Sequence, residues 1–175
     1  MKKLNFILKL LFISLTILLF NQEALAMDLF SSAFNNDDIL PAKFTCDGKN
    51  ISPALSWENA PQNTKSFALI ADDPDASRGT WTHWILYNIP AATTSLIENI
   101  KDLPAKTEIG MNSWSKQEYG GPCPPSGEHR YFFKLYALDT ILEFTQPVTS
   151  QTLEKTMNGH ILAIATIMGR YNRNK

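Results

Sequence analysis

Past residue 26 the chain alternates short apolar runs with clusters of Pro, Gly, Asn, Asp and Ser. Four runs are the best strand candidates: Phe67–Ala71, Trp84–Ile89, Tyr131–Leu138 and Ile161–Met168. Each is rich in β-branched and aromatic residues and is bounded by turn formers. Pro90 stops the second run because it has no amide hydrogen to give a ladder, and His83 stands at that run's entrance. Lys134 lies inside the third, so that strand is not expected to be buried on both faces. Phe30–Phe34 and Ile51–Trp57 are weaker candidates, and Pro53 in the latter suits an edge or a strand start. "SQTLEKTMNG" reads as a short helix capped by Ser150 or Thr149, with Asn158-Gly159 as a left-handed stop. The run after it could continue that helix, but Gly159 and the β-branched content favour a strand. Helix signals between strands are scarce. The expected fold class is therefore mainly β, an antiparallel β-sandwich with a few short helices.

The N-terminus follows another pattern. Lys2 and Lys3 precede an apolar run from Leu4 to Phe20, interrupted by Lys9, and Ala24-Leu25-Ala26 follows. A basic start, an apolar stretch and a small-x-small site form the layout of a secretory signal peptide. Residues 1–26 are assigned to a cleaved leader and 27–175 to one domain, with a periplasmic or secreted location expected. An uncleaved anchor and a start at Met27 are the competing readings, but the run is short and Lys9 breaks it. No integral membrane span is expected after cleavage.

Composition narrows the function classes. With 175 residues, 44% hydrophobic and 19% charged, the chain is an ordinary globular length for one domain. Loss of the leader removes three lysines and one glutamate and takes the formal net charge from −1 to −3. A mildly acidic chain without a basic run has no electrostatic footprint for nucleic acid and no polybasic patch for anionic membranes. Cys46 and Cys123 form an even count, which permits a disulfide in an exported protein, but sequence leaves their pairing open. Neither belongs to a C-x-x-C pair, so zinc and thioredoxin-like chemistry are set aside.

Two segments gather polar residues beside strands. In "ADDPDASRGTWTHW", Asp73-Pro74-Asp75 starts a turn, and His83 lies between Trp81 and Trp84. A hydrophilic hairpin would not carry two tryptophans, whereas a small-ligand pocket needs an aromatic wall with a histidine and a carboxylate. In "YGGPCPPSGEHRY", Gly and Pro fix the path of a loop that leads directly into His129 and Tyr131. Those two residues are i and i+2 on a strand and so share a face, with Arg130 on the other. Amides at Gly120 and Gly121 could face an anion, and Asp73, His83, His129 and Tyr131 could surround one of phosphate size. Asp73 would orient one imidazole. The rival readings are a His/Asp metal site, a Cys123–His129 nucleophile and a Ser126 nucleophile. None has the local spacing its chemistry needs, so binding is favoured over catalysis, with no metal and no cofactor.

"DPDA" followed by "HW", and "YGGPCPPSGEHRY" followed by "LYALD", resemble the two signature segments of the phosphatidylethanolamine-binding proteins, in their bacterial Raf-kinase-inhibitor-like branch. "FTCDGKNISPALSW" and "GHILAIATIMGRY" resemble that branch's opening and final strand. The resemblance spans Leu29 to Tyr171 and implies a β-sandwich with an anion pocket at one end. It places ligand contacts on Asp73, His83, Gly121, His129 and Tyr131, with Trp81 at the mouth and Pro122 in the wall beside Gly121. Members of that family act mostly as binders and regulators, so a small anion or phospholipid headgroup is the expected ligand and no enzyme activity is expected; the alternatives are a secreted protease- or kinase-inhibitor-like protein with a protein partner such as a protease, and a weak hydrolase using His129. Ser77 and Arg78 stand where the family has a proline after "DPDA", leaving that loop less rigid and adding a positive charge near the mouth.

Overall fold

A computed structural model describes residues 26–173. The leader predicted over residues 1–26 lies, but for Ala26, outside the described residues. Among the described residues eight strands form two antiparallel sheets. The smaller has the order β1 (Asp28–Phe30), β2 (Leu55–Glu58) and β5 (Ser95–Leu96). The larger has the order β6 (Glu108–Ile109), β4 (Trp81–Pro90), β3 (Ser66–Asp73), β7 (Glu128–Leu138) and β8 (Ile161–Asn172). One α-helix, α1 (Ser150–Met157), and a single 3-10 turn at Ala42–Phe44 complete the regular structure among the described residues. The expected mainly-β sandwich is what forms.

At its centre the large sheet is covered on both faces, which explains the unbroken apolar runs there. One face packs on the small sheet, joining Leu55, Trp57 and Leu96 to Phe67, Leu69, Leu86, Phe133 and Leu135. The other packs under α1 and the segment before it, joining Ile70, Ile85 and Tyr136 to Leu142, Val148, Leu153 and Met157. Every residue of β3 is buried as a result. Thr149 caps α1 by accepting the Thr152 amide at 3.2 Å, and Gly159 takes the left-handed conformation beyond it, φ +86°. Lys134 on β7 is half-buried and donates to Asp72 at 2.6 Å, in line with one incompletely covered face.

Several boundaries differ from the sequence expectation. β4 begins at Trp81, so His83 is the strand's third residue and not its entrance. β1 ends at Phe30, leaving Phe34 buried outside any strand, and β2 starts two residues after Pro53. β5 and β6 have two residues each, too few to show a period. Among the described residues no helix is long and apolar enough to cross a membrane.

Candidate functional site

Antiparallel pairing of β3 with β7 brings the end of one strand beside the start of the other. Asp73 closes β3, and His129 is the second residue of β7. The Asp73 carboxylate accepts from two sides: Oδ1 from the Asp75 amide at 2.8 Å, and Oδ2 from the His129 ring Nδ1–H at 2.7 Å. Both side chains are buried, at 6% and 11% exposure. Arg130, on the opposite face of β7, locks the same turn from outside. Its amide and guanidinium make three bonds of 2.7–2.9 Å to Asp75, and they hold that carboxyl down at about 2. The turn that delivers Asp73 is thus fixed to the strand that delivers His129.

His83 enters from β4. Its Nδ1–H donates to the Gly120 carbonyl at 2.6 Å, and the Gly120 amide donates back to the His83 carbonyl at 3.0 Å. Burial pushes the imidazole's pKa down, against the upward pull of the Gly120 contact. A neutral ring with its proton on Nδ1 keeps a lone pair on Nε2. Tyr131 lies behind both histidines, edge-on to His83 (centroids 5.3 Å apart) and stacked with His129 (6.5 Å). Burial, with Asp73 and Asp75 nearby, drives its phenol pKa up, so the hydroxyl keeps its proton.

Asp73 and the two histidines face a cavity of about 490 Å³ lined also by Trp81, Trp114, Asn112, Cys46 and Cys123. Asp73, Trp81, His83, Gly121 and His129 all reach its wall. Tyr131 and Pro122 do not line it. Tyr131 is only 3% exposed and backs the two imidazoles, and buried Pro122 uses its carbonyl to accept the Cys46 amide at 3.0 Å. The glycine amides expected to face an anion are both taken. Gly120 is spent on His83, and Gly121 donates to Asn50 Oδ1 at 2.7 Å. The second aromatic wall is also not the expected one. Trp84 alternates away from His83 into the core, where it packs edge-on against Tyr119. Trp114 takes its place, edge-on to Trp81 at 5.3 Å and to His83 at 5.1 Å. The buried Trp81 indole N–H has no acceptor among the described residues.

Trp114, Asn112 and Asn50 escaped the sequence reading because they lie in loops with no period. The segment after β6 runs along β4 through bonds from Gly110 to Ile85, Ser113 to Thr82 and Gly120 to His83, and that path carries Trp114 to the mouth. A disulfide joins Cys46 to Cys123 with Cα atoms 5.4 Å apart, so Cys123 offers no free thiol. Ser77 and Arg78 line the mouth, as does Lys116. Among the described residues no three His, Cys, Asp or Glu side chains cluster as a metal site.

The phosphatidylethanolamine-binding protein family model matches residues 30–172. The chain belongs to that family. A UPF0098 protein of Methanothermobacter thermautotrophicus is 48% identical over 150 residues, covering 84% of this chain and 99% of its own length. Another, from Aquifex aeolicus, is 46% identical over 89% of this chain and 94% of its own. Two solved family structures superpose with a TM-score of 0.80. One is a phosphatidylethanolamine-binding protein homologue from Chlamydia trachomatis, 39% identical, covering 85% of this chain and 99% of that one. The other is E. coli YBCL, described as a member of the mammalian family, 30% identical, covering 86% of this chain and 100% of that one. Membership in the family makes this a ligand-binding protein of the same kind.

Proposed function

We propose that this protein is an exported binder of phosphate-bearing headgroups of the phosphorylethanolamine type. The observation that carries the reading is the buried Asp73–His129 pair beside His83 at the wall of one cavity. Asp73 holds the proton on His129 Nδ1, which leaves Nε2 as that ring's remaining polar atom. Protonated there, the ring donates a charge-assisted bond to an anionic oxygen. His83 Nε2 can accept from a phosphate hydroxyl, or donate once protonated. A cavity of about 490 Å³ exceeds what a lone inorganic anion fills, which favours a headgroup over a bare ion. Arg78 at the mouth supplies positive charge, Lys116 being paired there with Glu118 at 3.2 Å, and Trp81 and Trp114 supply apolar walls.

Binding is preferred to catalysis because among the described residues neither site histidine pairs with a nucleophile: His83 bonds a backbone carbonyl, His129 a carboxylate, and Cys123 is tied in a disulfide. Titration calorimetry with O-phosphorylethanolamine tests the reading. Saturable heat in the wild type, lost in Asp73→Asn and in His129→Ala, is the expected result. Absence of heat, together with no thermal protection at millimolar ligand, removes it. Mass spectrometry of the N-terminus of the protein recovered from the periplasm tests export, and a chain still beginning at Met1 counts against it.

A further inference from the structure

The cavity that the two histidines face has a buried end and an exposed one. Asp73, His83 and His129 are buried, whereas Arg78 is exposed at the mouth. Arg78 lies in the hairpin loop, residues 74–80, that joins β3 to β4. Both ends of that loop are fixed, because Asp73 and Trp81 are register partners. Its middle is fixed too. The Arg130 guanidinium holds Asp75, and the Gly79 amide closes a turn around Arg78 on the Ala76 carbonyl at 3.2 Å. Gly79 has φ +97°, which only glycine adopts without strain. The loop thus carries Arg78 to the mouth on firm supports.

The other charges of the wall are engaged. Both Asp73 oxygens accept hydrogen bonds, and Lys116 pairs with Glu118 at 3.2 Å. None of the ion pairs among the described residues involves Arg78. Trp81, Trp114 and the Cys46–Cys123 bond add uncharged wall. An ammonium entering with a phosphate would find every wall carboxylate engaged, and Arg78 would repel it. A carboxylate would find Arg78, whose planar guanidinium can hold both of its oxygens at once. We propose that Arg78 is a specificity residue: it selects phosphate esters that carry a carboxylate on a short spacer, with the phosphate at the histidines. This rests on the phosphate reading above and adds what the other end of the ester should be. The chain's formal net charge is −1, so its overall field gives no advantage to an extra negative charge.

Calorimetry with matched esters tests the proposal. Ethyl phosphate, O-phosphorylethanolamine and 3-phosphonooxypropanoate share a two-carbon spacer and differ at its end, and 6-phosphonooxyhexanoate lengthens the acid. At low salt the better acid is expected to bind about threefold to tenfold tighter than ethyl phosphate. Arg78→Ala is expected to bring that ratio to about one, whatever happens to ethyl phosphate itself. Arg78→Lys should keep part of it, since charge remains and the planar fork is lost. Raising the salt should erode the ratio in the wild type and leave it flat in Arg78→Ala. Acids no tighter than ethyl phosphate, or a tighter phosphorylethanolamine, overturn the role of Arg78 and leave the phosphate reading intact. An acid advantage that survives Arg78→Ala overturns it too, because the carboxylate then meets another group. Heat from none of the four esters removes the phosphate reading and this one with it.

Discussion

A Cβ on Gly121 would stand 2.3 Å from the Phe44 carbonyl oxygen and 2.9 Å from the Thr45 Cα, both backbone atoms that cannot swing aside. Glycine is required there for close approach, not for a left-handed turn. Gly121→Ala is therefore expected to cost about 1–3 kcal/mol, read by urea denaturation, and to weaken headgroup binding by displacing the wall. Stability within about 0.5 kcal/mol of wild type would refute that account. His83 gives a pH prediction with a definite sign. Its folded pKa lies below the ordinary 6.5, so below that pH the unfolded chain takes up a proton that buried His83 resists, and the empty protein loses stability as pH falls. A bound anion favours the charged ring, so headgroup affinity should rise from about pH 8 to about pH 5.5. His83→Gln should flatten part of that rise. The ligand's own titration is common to both proteins, so identical profiles would exclude His83. At this scale the pairing of His129 with Tyr131 on one face was legible from period two alone. The Asn50–Gly121 bond was not, because it joins residues 71 apart that only the fold brings together.

At the scale of elements, long strands were legible and short ones were not. β3 and β4 announce themselves because continuous burial demands continuous apolar sequence, and β7 and β8, buried at alternate positions over part of their length, show through their length and their β-branched and aromatic content. β5 and β6 are held by partners already in place, so their own residues carry little of the pattern. Lys134 illustrates a polar residue within a strand. It meets Asp72, which is 3% exposed, and burial pushes that carboxyl's pKa up even though Lys134 pulls it down. The second Asp72 oxygen has no partner among the described residues. Lys134→Met should therefore destabilise the domain by about 2 kcal/mol, below the full cost of stranding a buried charge because Lys134 itself is 30% exposed. Adding Asp72→Asn should recover much of the loss. Thermal melts of the two single variants and the double variant decide it, and simple additivity would mean the pair is not coupled.

Across the whole molecule, the Gly-Pro loop proves to be one side of a stapled structure. The Cys46–Cys123 bond spans 77 residues and ties the segment after the 3-10 turn to that loop. Three contacts reinforce the join: Cys46 N–H to the Pro122 carbonyl, Gly121 N–H to Asn50, and the Tyr119 hydroxyl to Phe44. Both cysteines line the larger cavity, so the crosslink is also part of the wall that a headgroup would touch. Sequence could permit this bond but not assign it, because cysteine geometry depends on the packing of two loops with no regular structure. Two consequences follow from one bond. Replacing both cysteines with serine should lower stability by about 2–5 kcal/mol, since the reduced chain gains freedom when unfolded. It should also weaken headgroup affinity, because the wall loses its fixed path. Urea denaturation reads the first and calorimetry the second, at a temperature where the double variant is still folded. If stability falls while affinity stays at the wild-type value, the bond serves the fold alone, and the three hydrogen bonds suffice to hold the wall. If both fall together, oxidising surroundings are a condition of the binding site as well as of the fold.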